Sequence, residues 1–188
     1  HSKTGLDALM PKRTERLAYA RNHLMNIALS RCETDYICWV DMDSEIDEDF
    51  DIPGFTSCFQ FEEAWDALFP VSTGYYYDIW ALRHSEMWPD DYLETMNSRF
   101  DMALGVPSIL EIAMKSRQIK AEAMQGWLPV DSAFGGMGLY KASACRNGRY
   151  VGLEQGKEIC EHVSFHRGIQ KSGGRLYINP EFRIPCPQ

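Results

Sequence analysis

The stretch from Pro11 to Asp43 limits the possible folds more than any other. Leu17, Ala20, Leu24, Ile27 and Ala28 recur at steps of three and four, which predicts a helix over residues 11–32 with Arg13 and Arg21 flanking its apolar stripe. Glu33-Thr34-Asp35 breaks that helix, and Tyr36-Ile37-Cys38-Trp39-Val40 follows as an apolar run that stops at Asp41-Met42-Asp43. Helix, turn, buried strand and acidic tip form one α/β unit, since strands covered on both faces read as continuous apolar runs.

The remaining 145 or so positions extend the same grammar, at roughly the length of one domain. A second helix is predicted over 59–68 and an aromatic strand over 74–80. Further helices are predicted over 90–100 and 108–124, the latter opening on Ser108 with Glu111 three positions on, a capping-box spacing. Strands over 127–133 and 137–141 flank Gly135-Gly136, and a helix over 161–170 leads through Gly173-Gly174 into a strand over 175–179. No repeat, low-complexity tract or linker interrupts the chain, so residues 1–188 are expected to form a single α/β domain with one core.

Composition removes several function classes. Hydrophobic residues make up 45% and charged residues 24%, which excludes a disordered chain or a coiled coil. Nineteen basic against 27 acidic side chains give a net charge of −8, the wrong sign for holding a phosphate backbone, so no nucleic-acid partner is expected. No apolar run approaches the ~20 residues of a membrane span. The start, His1-Ser2-Lys3-Thr4-Gly5, has neither an initiator Met nor a basic-then-apolar leader, so a fragment or processed form is expected, and its location stays open. The six cysteines contain no C-x-x-C pair, which argues against a zinc ribbon. Cys38 reads as a packed thiol within its strand.

Four constellations carry chemistry. Asp41 and Asp43, two carboxylates at i and i+2 on a strand end, can converge on one hard cation, although acids also collect at exposed strand ends of any α/β fold. An EF-hand is a poor fit, because Ile46 and Ile52 stand where the turn Gly and the bidentate Glu belong. A haloacid-dehalogenase-type phosphatase also places D-x-D after an apolar strand, but shows Thr or Val where this chain has Glu45. In the second constellation, Cys160 to His166, a helix would put His162 and His166 on one face, able to share a metal, with Glu161 off to the side; Glu161 and His162 are base or ligand candidates, or the histidines are simply surface or packed ones. The third, Tyr75 to Arg83, offers Trp80 for stacking on a sugar and Asp78 for its hydroxyls, or simply a half-buried aromatic strand. In the fourth, Asp131 lies beside Gly135 and Gly136, which permit close backbone approach or a tight turn.

Taken in order, these segments resemble glycosyltransferases of the GT-A fold. Ala20-Arg21-Asn22, then a strand and Asp41-Met42-Asp43, resembles the family's helix leading into its D-x-D motif. Phe134-Gly135-Gly136 and Cys160-Glu161-His162 resemble its acceptor loop and x-E-D motif. The likeness is greatest to fungal capsule-associated and related mannosyltransferases, with viral and algal GT-A enzymes similar, and runs from about Arg13 to Pro180. It implies a Rossmann-like mixed sheet flanked by helices, here lacking the first strands of the nucleotide-binding half. It implies transfer of a sugar from a GDP- or UDP-sugar donor to a glycan acceptor, with Mn²⁺ or Mg²⁺ held by Asp41, Asp43 and His162, His166 being the second choice. Arg13, Arg21 and Asn22 would line the donor side with Asp41 and Asp43. Asp78, Trp80, Gly135 and Gly136 would face the acceptor, and Glu161, His162 and Asp131 would serve catalysis. A lumenal Golgi or endoplasmic-reticulum location would follow for a eukaryotic secretory enzyme, and a cytoplasmic one otherwise. A carbohydrate-binding or inactive transferase-like module is the alternative outside catalysis, the D-x-D phosphatase the alternative within it.

Overall fold

The computed structural model describes residues 5–42, 50–74, 76, 78–94 and 106–185. Helices α1 (Leu6–Leu9), α2 (Arg13–Arg31), α3 (Ile52–Ser57), α4 (Val106–Lys115), α5 (Ala142–Cys145) and α6 (Glu161–Lys171) accompany seven strands. These are β1 (Tyr36–Val40), β2 (Ala67–Thr73), β3 (Leu128–Pro129), β4 (Met137–Lys141), β5 (Leu153–Glu154), β6 (Lys157–Glu158) and β7 (Leu176–Pro185). The fold is mixed α/β. Five strands form a mixed sheet in the order β1-β4-β2-β7-β3, in which β2 and β7 are parallel and the other pairs antiparallel. Strands β5 and β6 form a separate hairpin. Among the described residues no helix is long and apolar enough to cross a membrane.

Helix α2 forms where the periodicity predicts it, yet buries a different face. Thr14, Ala18, Arg21 and Met25 face inward, while Leu24 is 45% exposed. The helix is rotated so that a charged residue enters the interior in place of the more apolar stripe, which is possible only because that charge is matched there. The strand after it, β1, lies at the edge of the sheet and pairs only with β4, antiparallel. Cys38 is therefore exposed rather than packed, and among the described residues it forms no disulfide, nor do Cys32, Cys58, Cys145 and Cys160.

The central strand β2 runs through residues predicted as the end of a helix over 59–68. Pro70 argues against a mid-sheet strand because it cannot donate to the ladder. The structure accommodates it at an irregularity: Phe69 pairs with Ile178 but Val71 with Arg183, so β7 carries the extra residues opposite Pro70. The aromatic segment predicted as a strand over 74–80 lies beyond that strand's end. Gly74, at φ +89°, turns the chain, and residues 78–80 are irregular. The predicted helix over 108–124 divides into α4 and a 3₁₀ turn at Ala121–Ala123, and only Leu128–Pro129 of the strand predicted over 127–133 pairs in the sheet. Residues 92–94 of the helix predicted over 90–100 are helical, and 95–100 lie outside the described residues.

Alternation along β2 and β4 supplies both faces of the sheet, as the pleat requires. Phe69 and Tyr140 point into a cluster with Ala18 and Met25 of α2 and Phe165 and Ile169 of α6. Leu68 and Leu139 point to the other face, with Trp65, Met137, Phe182 and Ile184. In the first cluster His166 is fully buried, its Nδ1 2.8 Å from Ser132 Oγ and its Nε2 2.9 Å from Tyr140 OH. Both ring nitrogens are satisfied by protein, so the second-choice metal ligand is a core residue. Burial, with Arg21 acting in the same direction, pushes its pKa down to about 3.

The unfolded chain therefore takes up a proton at His166 below pH 6.5 that the folded chain refuses until about pH 3. This contribution to stability is complete above pH 6.5 and is lost as the pH falls. His166→Asn is expected to cost ~2 kcal/mol at pH 7. The gap to wild type should shrink by ~1.4 kcal/mol per unit as the pH drops below 6, close near pH ~5 and reverse in sign by pH ~4. Urea titrations at four pH values check this.

Candidate functional site

Asp41 leaves the end of β1 and is fixed there by the glycine turn before β4. Its N–H donates to the Gly136 carbonyl at 2.9 Å. Gly135 and Gly136 both have positive φ, +68° and +90°, a backbone that disfavours side chains, and this lets the turn pass close to the strand end. Helix α6 opens beside it with Glu161 and His162, both nearly fully buried.

Arg21 joins these elements. Its Nε donates to Glu161 Oε1 at 3.0 Å, and its Nη2 lies 2.8 Å from Asp41 Oδ1 and 3.0 Å from Oδ2. The guanidinium carbon lies 5.2 Å from the centre of the Phe134 ring, 5.8 Å from Trp39 and 6.0 Å from Tyr150. Burial opposes its charge, but Asp41 and Glu161 hold its pKa above the ordinary value. Glu161 is pushed up by burial against the pull of Arg21. His162 stacks on Phe134 at 3.8 Å, and burial, with Arg21 and His166 adding to it, holds its pKa far below normal, so the imidazole is neutral. Among the described residues, neither of its ring nitrogens, nor Arg21 Nη1, has a hydrogen-bond partner. Unsatisfied buried polar atoms of this kind are uncommon in native proteins.

A cleft of about 260 Å³ opens above the cluster, with Asp78, Trp80 and Tyr92 forming its other wall. Asp78 Oδ1 accepts from the Ala81 N–H at 3.2 Å. Burial, reinforced by Glu161 and Asp41 and opposed by Ala81 N–H and Arg21, pushes its pKa up to about 6. Trp80 Nε1 donates to Asp91 Oδ2 at 2.9 Å, and Asp91 is in turn held by Arg83, so the indole is pinned.

Of the residues singled out in the sequence, the cleft brings together Arg13, Arg21, Asp41, Asp78, Trp80, Gly136, Glu161 and His162. Asn22 is not among them. Its amide donates to the Tyr150 carbonyl and accepts from the Tyr150 N–H, at 2.7 and 3.0 Å, and so ties α2 to the chain before β5. Asp131 accepts from Gln170 at 3.0 Å and lines other cavities. Gln170 is nine positions along α6 from Glu161, or ~14 Å at the helical rise. Gly135 shapes the turn behind the cleft. Asp43 lies outside the described residues. Phe134, Tyr92 and Tyr150 complete the site without having been selected, and an isolated aromatic carries no periodicity that would have distinguished it from core.

Among the described residues no group of three or more His, Cys, Asp or Glu is arranged to hold a metal ion. The partly exposed Asp41 carboxylate is nonetheless a donor type that suits Mn²⁺ or Mg²⁺, and the neutral His162 imidazole carries one nitrogen lone pair beside it. Removing one member of the buried cluster leaves the others uncompensated. Arg21→Ala is expected to lower the unfolding free energy by ~3–5 kcal/mol, and Arg21→Lys by less, as read by chemical denaturation at pH 7. No protein-family model matches this chain, and no curated protein matches it either, so its function is read from the cleft.

Proposed function

We propose that the chain is a metal-dependent glycosyltransferase of GT-A type, moving a sugar from a GDP- or UDP-sugar to a hydroxyl group of a glycan. The supporting observation is the convergence on one cleft of Asp41 from a strand end, Glu161 and His162 from a helix start, and Asp78 with Trp80 from the aromatic segment. Three carboxylates, a neutral imidazole and a pinned indole within one cleft suit a charged leaving group on one side and a sugar ring on the other.

The cleft, about 260 Å³, is smaller than the ~300–1,000 Å³ of most ligand pockets, and so suits the sugar and diphosphate rather than a whole donor. An adjoining apolar slot of about 370 Å³ is lined by Ala20, Leu24, Cys38, Trp39 and Val40 and shares Leu17, Arg21 and Asp41 with the cleft. The nucleoside is assigned to this slot. Arg13 and Arg21, which both line the cleft, offer positive charge to the phosphates. A divalent cation would be held by Asp41 and His162, with Asp43 added by the resemblance, and would neutralise charge on the departing diphosphate. On the acceptor side Trp80 offers its apolar face to a sugar ring, and Asp78 stands beside it.

Ligand linkage raises the melting temperature only for what the native state binds. UDP or GDP at ~100 times its Kd should raise Tm by several degrees in the presence of Mn²⁺. Chelator, or Asp41→Asn, should remove the metal-dependent part of that shift. The absence of a shift with either nucleotide, together with chelator-insensitive binding of glycans, would replace this reading with a carbohydrate-binding module.

A further inference from the structure

Transfer of a sugar requires that the acceptor hydroxyl lose its proton, and the cleft offers several candidate bases. Glu161 is 3% exposed and its Oε1 is bonded by Arg21 Nε. Both oxygens of Asp41 face Arg21 Nη2. His162 lies flat against Phe134 beneath the cleft. Asp131 lines other cavities, beside Gln170. Asp78 differs from all of these. It faces the cleft beside Trp80, has no ion-pair partner among the described residues, and is held only through Oδ1 by the Ala81 N–H.

We infer that Asp78 is the base that takes the proton from the acceptor hydroxyl; this rests on the transferase reading of the same cleft. A bond forms between the acceptor oxygen and the anomeric carbon as the bond from that carbon to the phosphate oxygen breaks. The nucleoside diphosphate leaves with the electron pair, and the hydroxyl proton passes to Asp78 and then to solvent. The Ala81 N–H fixes the carboxylate while leaving Oδ2 free to meet the hydroxyl. The adjacent Trp80 face orients the sugar that carries it.

The electrostatic setting agrees. Arg21 of α2 stabilises the carboxylate, whereas Asp41 after β1 and Glu161 of α6 disfavour it, as does burial, and together they bring its pKa up to about 6. Cys160, Tyr76 and Tyr92 also face it, and each is held neutral by a raised pKa of its own. A carboxylate that titrates here is ionised at pH 7 and is a stronger base than an ordinary aspartate. Since the ionised form reacts, the rate should rise with pH as Asp78 loses its proton and level off once it is ionised.

The experiment uses the whole chain and its Asp78→Asn variant, with Tm and far-UV circular dichroism checking that the variant folds. Carboxyl ¹³C NMR of the metal-free protein, with the Asp78 signal assigned by its loss in the variant, is expected to show a midpoint near 6. A midpoint below 4.5 overturns the inference whatever the substrate. Calorimetry with GDP and with UDP plus Mn²⁺ is expected to give the same affinity for both proteins. Release of the nucleoside diphosphate from GDP-mannose or UDP-glucose, whichever nucleotide binds, is then followed with free mannose or water as acceptor. Asp78→Asn should lower kcat by ~100-fold or more and abolish the acid limb of the pH–rate profile. Normal nucleotide binding with wild-type turnover, or with the limb retained, overturns the assignment of Asp78 alone. Failure of wild type to bind either nucleotide overturns the transferase reading beneath it.

Discussion

Arg21 is buried because Asp41 and Glu161 meet it from two other elements, and three aromatic rings close around its plane. An unpaired guanidinium in this position would be prohibitively expensive, so the rotation of α2, the end of β1 and the start of α6 are mutually dependent. The same contact explains why α2 leaves Leu24 in solvent. An apolar face would have packed without constraint on its partners, whereas a charged one packs only where both carboxylates stand.

The arrangement also sets the electrostatics of the cleft. Asp41, Glu161 and Asp78 bring three carboxyl groups to the single buried guanidinium, with Arg13 out at the rim. Burial, with the neighbouring acids adding to it, raises Asp78 and Glu161 and leaves the cleft receptive to a cation or a proton. The neighbouring histidines take opposite parts. His166 spends both nitrogens on Ser132 and Tyr140 and belongs to the core, while His162, one helical turn earlier, keeps both of its own unbonded.

Much of the architecture is legible in the sequence where a pattern is repeated. Helix α2, strand β1, strand β4 and helix α6 lie within a few residues of their predicted bounds. The failures have physical causes. Pro70 disguised the central strand, because the bulge that tolerates it is made by residues of β7 more than a hundred positions away. The apolar run of β1 read as a buried strand, although an edge strand can carry the same residues when α2 and the sheet cover one side. At the site, Asp41, Asp78, Trp80, Glu161 and His162 were recoverable because short motifs name them. Asn22 and Asp131 were drawn in by nearness in sequence, yet their hydrogen bonds serve the scaffold. Tyr150 gave no signal, since an aromatic ring beside a charge is visible only in space.

The bonds that tie α2 to the last third of the chain join distant parts of the sequence. Thr14 meets Glu158, Arg21 meets Glu161, and Asn22 meets Tyr150, across sequence separations of 144, 140 and 128 residues. Contacts of such separation carry a high loop-closure entropy and raise the contact order of the fold. Local elements such as α2 and the β5–β6 hairpin can form early, but Arg21 gains its second carboxylate only when α6 docks. Until then its guanidinium stays hydrated, and the helix has no reason to choose the face it finally buries. The cleft is in this sense a late product of folding, completed by the step that joins the first long helix to the last.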